Sequence, residues 1–261
     1  MHALNAAAEA AYVGPMEWSD DGIVLSVRRH GETGAIAEIF TRLHGRHLGF
    51  VHGGQSRRLR PILQAGNHVQ VAWRARLADN MGHFSLELER GVAAQVMADP
   101  LALSGVTSLA ALAQLLPERD AHANLYEVTE FVLQFIDDPT IWPALYVRWE
   151  LALLQDMGVG LDLSSCAATG RTNDLIYVSP RSGRAVSRDA GQPYADRMFT
   201  LPPFLRPGDN RETTAADIAG ALEMTGHFLM HRIYGPDGAE LPEPRQRFER
   251  RVRRMGEREQ S

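Results

Sequence analysis

The side chains with the clearest chemical potential are arginines. Arg57, Arg58 and Arg60 fall in a polar stretch entered through Gly53-Gly54 and interrupted by Pro61, while Arg74 and Arg76 are two apart and share one face of an extended strand. Arg28, Arg29, Arg42 and Arg46 precede them. A guanidinium is a planar fork that donates two parallel hydrogen bonds to one phosphate, so this grouping suits a polyanion. The chain has no lysine, and all 27 of its basic residues are arginine. A Walker A phosphate loop and Schiff-base chemistry are therefore excluded. A codon bias toward arginine accounts for the missing lysines, so their positions carry the information.

Other reactive side chains point to less. His227 and His231 lie four apart and could pair on a metal, but Gly226-His-Phe-Leu-Met-His231 lacks the glutamate of a zinc protease. His44 and His47 flank Gly45-Arg46 in a turn and suit a phosphate contact or plain surface. Cys166 is the only cysteine, which rules out a disulfide framework or a four-thiolate metal site within the chain and points to the cytoplasm. There is no Gly-x-Ser-x-Gly, and no histidine neighbours Cys166 in sequence. Asp20-Asp21 and Asp137-Asp138 sit at element ends, where turns and caps use them. The residues read as a non-enzyme with no catalytic group, no cofactor and no metal.

The elements that must position the arginines are short strands. Gly22 to Arg29 alternates, with Ile23, Leu25 and Val27 on one face and Val24, Ser26 and Arg28 on the other. Gly31 and Gly34 bracket a turn; strands follow over Ala35 to Thr41 and Gly45 to His52, and Gln55 to Gln64 forms a flexible, arginine-bearing loop. Asn67 to Arg76 keeps a strict period of two, predicting Val69, Val71, Trp73 and Ala75 inside and Gln70, Ala72, Arg74 and Arg76 outside. His83 to Arg90 places Phe84, Leu86 and Leu88 inward, and leaves Phe40 and Phe50 undecided. Five strands without intervening helices fit a small oligonucleotide-binding (OB) barrel.

The period changes to 3.6 at Ala98-Asp99-Pro100. Helices are predicted over Ser108 to Leu116, Ala123 to Ile136, a segment capped by Thr140 and ended by Gly158, and a segment from a Thr214 capping box to Tyr234. Residues 160–207 read as an irregular insert. The end of the chain, Arg245 to Arg258, reads as a basic helix or a disordered arm, with the solvated reading preferred over a second polyanion contact. The expected organisation is a disordered extension over 1–15, an OB domain over 16–98, an all-helical domain over 99–251 and a basic tail over 252–261.

Composition agrees with a two-domain globular protein: 261 residues, 44% hydrophobic and 23% charged, with no apolar run of the roughly 20 residues a membrane helix needs. The net charge of -5 argues against nucleic acid until its distribution is considered. Residues 21–76 hold nine arginines against three acids, and residues 243–258 hold seven against three, so the basic parts stand apart from an acidic remainder.

These residues resemble a known family, the RecO recombination mediators. The likeness runs through Asp21-Gly-Ile-Val-Leu25, Gly31-Glu-Thr-Gly34, Phe40-Thr-Arg-Leu-His-Gly45 and Val51-His-Gly-Gly54 leading into Arg57-Arg58. It resumes with Glu150-Leu-Ala-Leu-Leu154, Gly158-Val-Gly-Leu-Asp162, Tyr177-Val-Ser-Pro180 and Thr225-Gly-His-Phe-Leu229. The resemblance implies an N-terminal OB fold and a helical C-terminal domain in a monomer of the bacterial cytoplasm and nucleoid. It implies binding of single- and double-stranded DNA, annealing of complementary strands, and loading of RecA with RecR. It also implies docking of the acidic C-terminal tail of single-stranded DNA-binding protein on the helical domain. The family's zinc module has two Cys-x-x-Cys pairs, of which Cys166-Ala-Ala-Thr169 keeps one thiol, so a metal-free loop held by packing and hydrogen bonds is expected. The residues alone also fit an RNA-associated OB protein or a protein-binding scaffold.

Overall fold

The computed structural model describes residues 16–77, 80–206, 208–209, 211–235 and 238–259; the extension expected over 1–15 and the last two tail residues lie outside them. Five strands come first: β1 (Met16–His30), β2 (Gly34–Thr41), β3 (Gly45–Val51), β4 (His68–Ala75) and β5 (His83–Arg90). They close as a barrel in the order β1-β2-β3-β5-β4, antiparallel except for the β3–β5 seam. This is the expected OB-type sheet. β1 is 15 residues long because it serves two neighbours: Met16 to Ile23 pairs with β4, and Gly22 to His30 pairs with β2.

The barrel interior holds Val24, Ala35, Ala37, Ile39, Val51, Val69, Val71, Trp73, Ala75 and Phe84. The inward phase read for β4 is thus correct, as it is for Phe84 and Leu86 in β5, whereas Leu88 is exposed. β1 keeps the expected alternation over its middle, with Val24 in the barrel and Ile23 and Leu25 in a second core on the outside. A bulge between Val24 and Ser26 then shifts the register, so Val27 leaves the face of Ile23 and Leu25, lies opposite Ala37 and is exposed.

That second core belongs to the helices α1 (Val92–Val96), α2 (Pro100–Ala113), α3 (Ala123–Gln134) and α4 (Trp142–Asp156). α2 begins eight residues before the predicted Ser108, capped by Asp99, whose carboxylate accepts from the Leu101 and Ala102 amides. Thr140 does not cap α4; its amide and hydroxyl donate to Asp138 instead. Phe40 crosses the seam and packs against Tyr126 with ring centroids 5.4 Å apart. Gly45, at φ +67°, has no room for a side chain because the Asp120 carbonyl lies where its Cβ would be. Barrel and helices therefore share buried surface along one side.

The irregular insert contains structure that its composition did not suggest. β6 (Leu175–Val178) pairs with both β7 (Ala185–Ser187) and β8 (Phe199–Thr200) in a three-stranded sheet, and a short α5 (Arg188–Gly191) follows β7. Cys166 is buried at its edge. Burial pushes the thiol up, but donors from Ser187, Thr169 and the Ser187 and Ala168 amides outweigh it and bring it down to about 6. No described residues form a cluster that could hold a metal ion.

α6 (Ala215–Leu229) opens with the predicted Thr214–Asp217 capping box and continues as a π-turn to Tyr234. α7 (Glu243–Glu259) is one continuous helix across the position where a tail was expected, and Phe248 and Val252 enter the helical core. Arg245 is fully buried, which corrects its reading as a solvated tail residue. It donates to Glu150 on α4, to Glu249 and to the Leu222 carbonyl on α6. Thr225 and Tyr146 also bond Glu150, and Ser108 of α2 bonds Tyr146, so one polar network joins four helices.

These buried groups set how stability responds to substitution and to pH. Arg245→Met leaves the Glu150 charge without its partner and lowers unfolding free energy by about 3–5 kcal/mol in urea titration, whereas Glu150→Leu combined with Arg245→Met loses less. His47 and His68 are each 5% exposed or less and lowered to about 4, His47 by burial with the nearby Arg119 and His44 charges, His68 by burial and Arg90. The unfolded chain binds protons at an ordinary imidazole value near 6.5 that the folded barrel rejects. Stability is therefore full above about pH 6.5 and falls as pH drops toward 4, and His47→Leu flattens that fall in thermal unfolding.

Candidate nucleic-acid interface

The free end of the β1–β2 hairpin and the segment after β3 form the candidate site. Gln55 ties them together: its amide donates to the Thr33 carbonyl at 3.1 Å, and its side chain donates to Gly31 and Gly34 carbonyls. The segment is not the flexible loop expected from its composition. Arg60 and Leu63 amides bond back to Ser56 and Leu59, and Asn67 donates to the Pro61 and Ile62 carbonyls. Leu63 is buried in the barrel core with Leu59 and Ile62 packed beside it. This plug holds Arg57, Arg58 and Arg60 outward on a firm base.

The nine arginines divide by environment. Arg28, Arg29, Arg57, Arg58, Arg60 and Arg76 are exposed, and none forms an ion pair with another described residue. Arg29 and Arg60 face one cleft of about 330 Å³, lined also by Gln55 and Gln64. Arg74 is exposed but bound to Glu17 at 2.6 Å, and Arg42 is paired with Glu127 of α3 at 2.7 Å. Arg46 is only 16% exposed, pairs with Glu38, and donates to the Leu116 carbonyl at 2.6 Å. It belongs to the seam between barrel and helices and is not brought to the cleft. The arginines thus do not form one group: five lie on the hairpin and plug, of which Arg29 and Arg60 share the cleft, three carry a carboxylate each, and Arg76 lies just past the end of β4.

Aromatic residues follow the same division. Trp73 and Phe84 are core, as their inward phase predicts, and Phe40 is sealed against Tyr126. Phe50, undecided from the sequence, is half-buried. It lies on the outer face of β3 with Arg46 and Leu48, a parity that was legible in the alternation. The other histidines considered earlier are structural or exposed: His44 donates from Nδ1 to the Asp20 carboxylate and stacks on Trp18, and His47 is inside the barrel. His227 and His231 stack on each other at 4.0 Å beside Phe228.

The fold is thus that of a five-stranded OB-type barrel with a cationic end, backed by a helical domain. The chain matches the model of the Recombination protein O N-terminal domain over residues 16–90 and that of the C-terminal domain over residues 97–239. It is 50% identical over 238 residues to a DNA repair protein RecO of Methylorubrum extorquens, covering 89% of this chain and 97% of that protein. The protein of the same name in Brucella abortus is 48% identical over 233 residues, covering 89% and 94%. The chain belongs to the RecO family. No described helix is long and apolar enough to cross a membrane.

The contrast between buried and free arginines is measurable. Arg46→Ala strands Glu38 and the Leu116 carbonyl in a part-buried seam and costs about 1–3 kcal/mol. Arg57→Ala stays within about 0.5 kcal/mol of the parent in the same thermal unfolding assay.

Proposed function

We propose that this protein acts in DNA repair and recombination by binding DNA through the cationic end of its barrel. The observation that supports it most is that Arg28, Arg29, Arg57, Arg58 and Arg60 are all exposed and free of ion pairs with described residues on the hairpin and plug, with Arg29 and Arg60 lining one cleft. Such a surface binds phosphate with little regard to sequence, which suits a protein that must engage single strands and duplexes alike. In this reading it pairs complementary strands and, with RecR, helps load RecA onto single strands coated by their binding protein. The helical domain receives the acidic tail of that coating protein. The work is positioning rather than chemical turnover, carried out by a monomer in the bacterial cytoplasm at the nucleoid.

If about five phosphates of a single strand are neutralised, affinity falls about a hundredfold between 50 and 200 mM salt in fluorescence anisotropy. Replacing Arg57, Arg58 and Arg60 together by alanine weakens all strand sequences alike and makes the salt dependence shallower. A salt-insensitive complex, or an unchanged curve for the triple variant, overturns the assignment of the plug.

A further inference from the structure

The cross-strand register around the outside of the barrel places Arg28, Ile36, Phe50, His83 and Arg74 in one row. Three imidazoles gather on the ring in the middle of that row. His30, His52 and His83 each stand nearly perpendicular to Phe50, with centroids 5.7, 4.7 and 5.7 Å away. His52 and His83 are themselves stacked, 4.9 Å apart with 11° between their planes. All three imidazoles are exposed, and Phe50 is half-buried beneath them. Gly34 makes room for the arrangement, since any side chain there would collide with the Phe50 ring.

A pair of parallel rings fixed on a sheet face and open to solvent presents a flat surface on which a third planar ring can continue the stack. Nucleobases are such rings, and their stacking on side chains of a barrel is tolerant of sequence because every base has the same kind of face. The neighbours suit that occupant. Arg28 lies in the same row, so the strand that supplies a base would find a phosphate partner alongside.

We infer that Phe50, His52 and His83 form a stacking platform for an unpaired nucleobase, which distinguishes single strands from duplex DNA at a surface whose arginines do not. This rests on the DNA-binding reading above and adds a contact to the base where that reading has contacts to phosphate only. In a duplex the bases are paired and stacked on each other, so the platform contributes nothing there.

The test uses the full chain and three probes: a single-stranded thymidine oligomer of about 12 nucleotides, the same strand made abasic, and a duplex of equal length. The parent protein binds the intact strand at least about fivefold more tightly than the abasic one. His52→Ala with His83→Ala removes that difference while leaving abasic and duplex affinities unchanged, and His83→Tyr, which keeps a planar ring, restores it. Equal binding of intact and abasic strands by the parent overturns the platform and leaves the phosphate reading standing. Equal weakening of all three probes in the double alanine variant also overturns it, because the histidines then act through charge or fold. Failure of the parent to bind any probe removes the DNA-binding reading and the platform with it.

Discussion

Closure of the barrel through β1 is the constraint on which the rest of the structure depends. One strand is hydrogen-bonded to β4 over its first half and to β2 over its second, and near the crossover two of its apolar side chains face outward. Those side chains, Ile23 and Leu25, belong to the helical core, so the same strand that closes the barrel also attaches it to the helices. Beyond the bulge it runs on, paired with β2, to Arg28 and Arg29. A displacement of β1 would open the barrel, loosen the seam and move the cationic end together.

The arginines show how environment assigns different work to identical side chains. At the seam Arg46 lies beside Glu38 and a carbonyl with little water, where its charge satisfies neighbours and is unavailable to a ligand. Arg42 and Arg74, at the surface, hold carboxylates in a medium that screens such pairs, so a competing phosphate could displace them at modest cost. The guanidiniums on the plug and hairpin have no such competitor among the described residues. Net charge alone conceals this division, because the acids that make the chain anionic as a whole mostly lie outside the first domain.

The strands were legible because one face of each is buried and the other is not, which writes a period of two into β4 and β5. β1 obscured its phase because it is apolar on both sides and bulged; a strand shared between two cores has no polar face to read. The environment of the plug was concealed by its composition, since Leu59, Ile62 and Leu63 are few among arginines and glutamines, yet they decide that the segment packs down. α7 was hardest. Its inward residues Arg245, Phe248 and Val252 follow helical spacing, but one of them is charged, and the carboxylate that receives it is 95 residues away in sequence. Of the candidate site, the arginine types and the Phe50 parity could be read from the chain, while which cations gather and which are neutralised required the tertiary arrangement.

That distance between Glu150 and Arg245 bears on how the protein is made. A ribosome adding about 5–20 residues each second delivers α4 on the order of 5–20 s before the partner of its buried carboxylate. During that interval the barrel is complete in sequence, but the helical bundle lacks the cation at its centre and two apolar groups of its last helix. The nascent chain therefore carries a finished N-terminal half beside an unfinished one, and the C-terminal segment acts as the closing piece that commits the second half to its native packing.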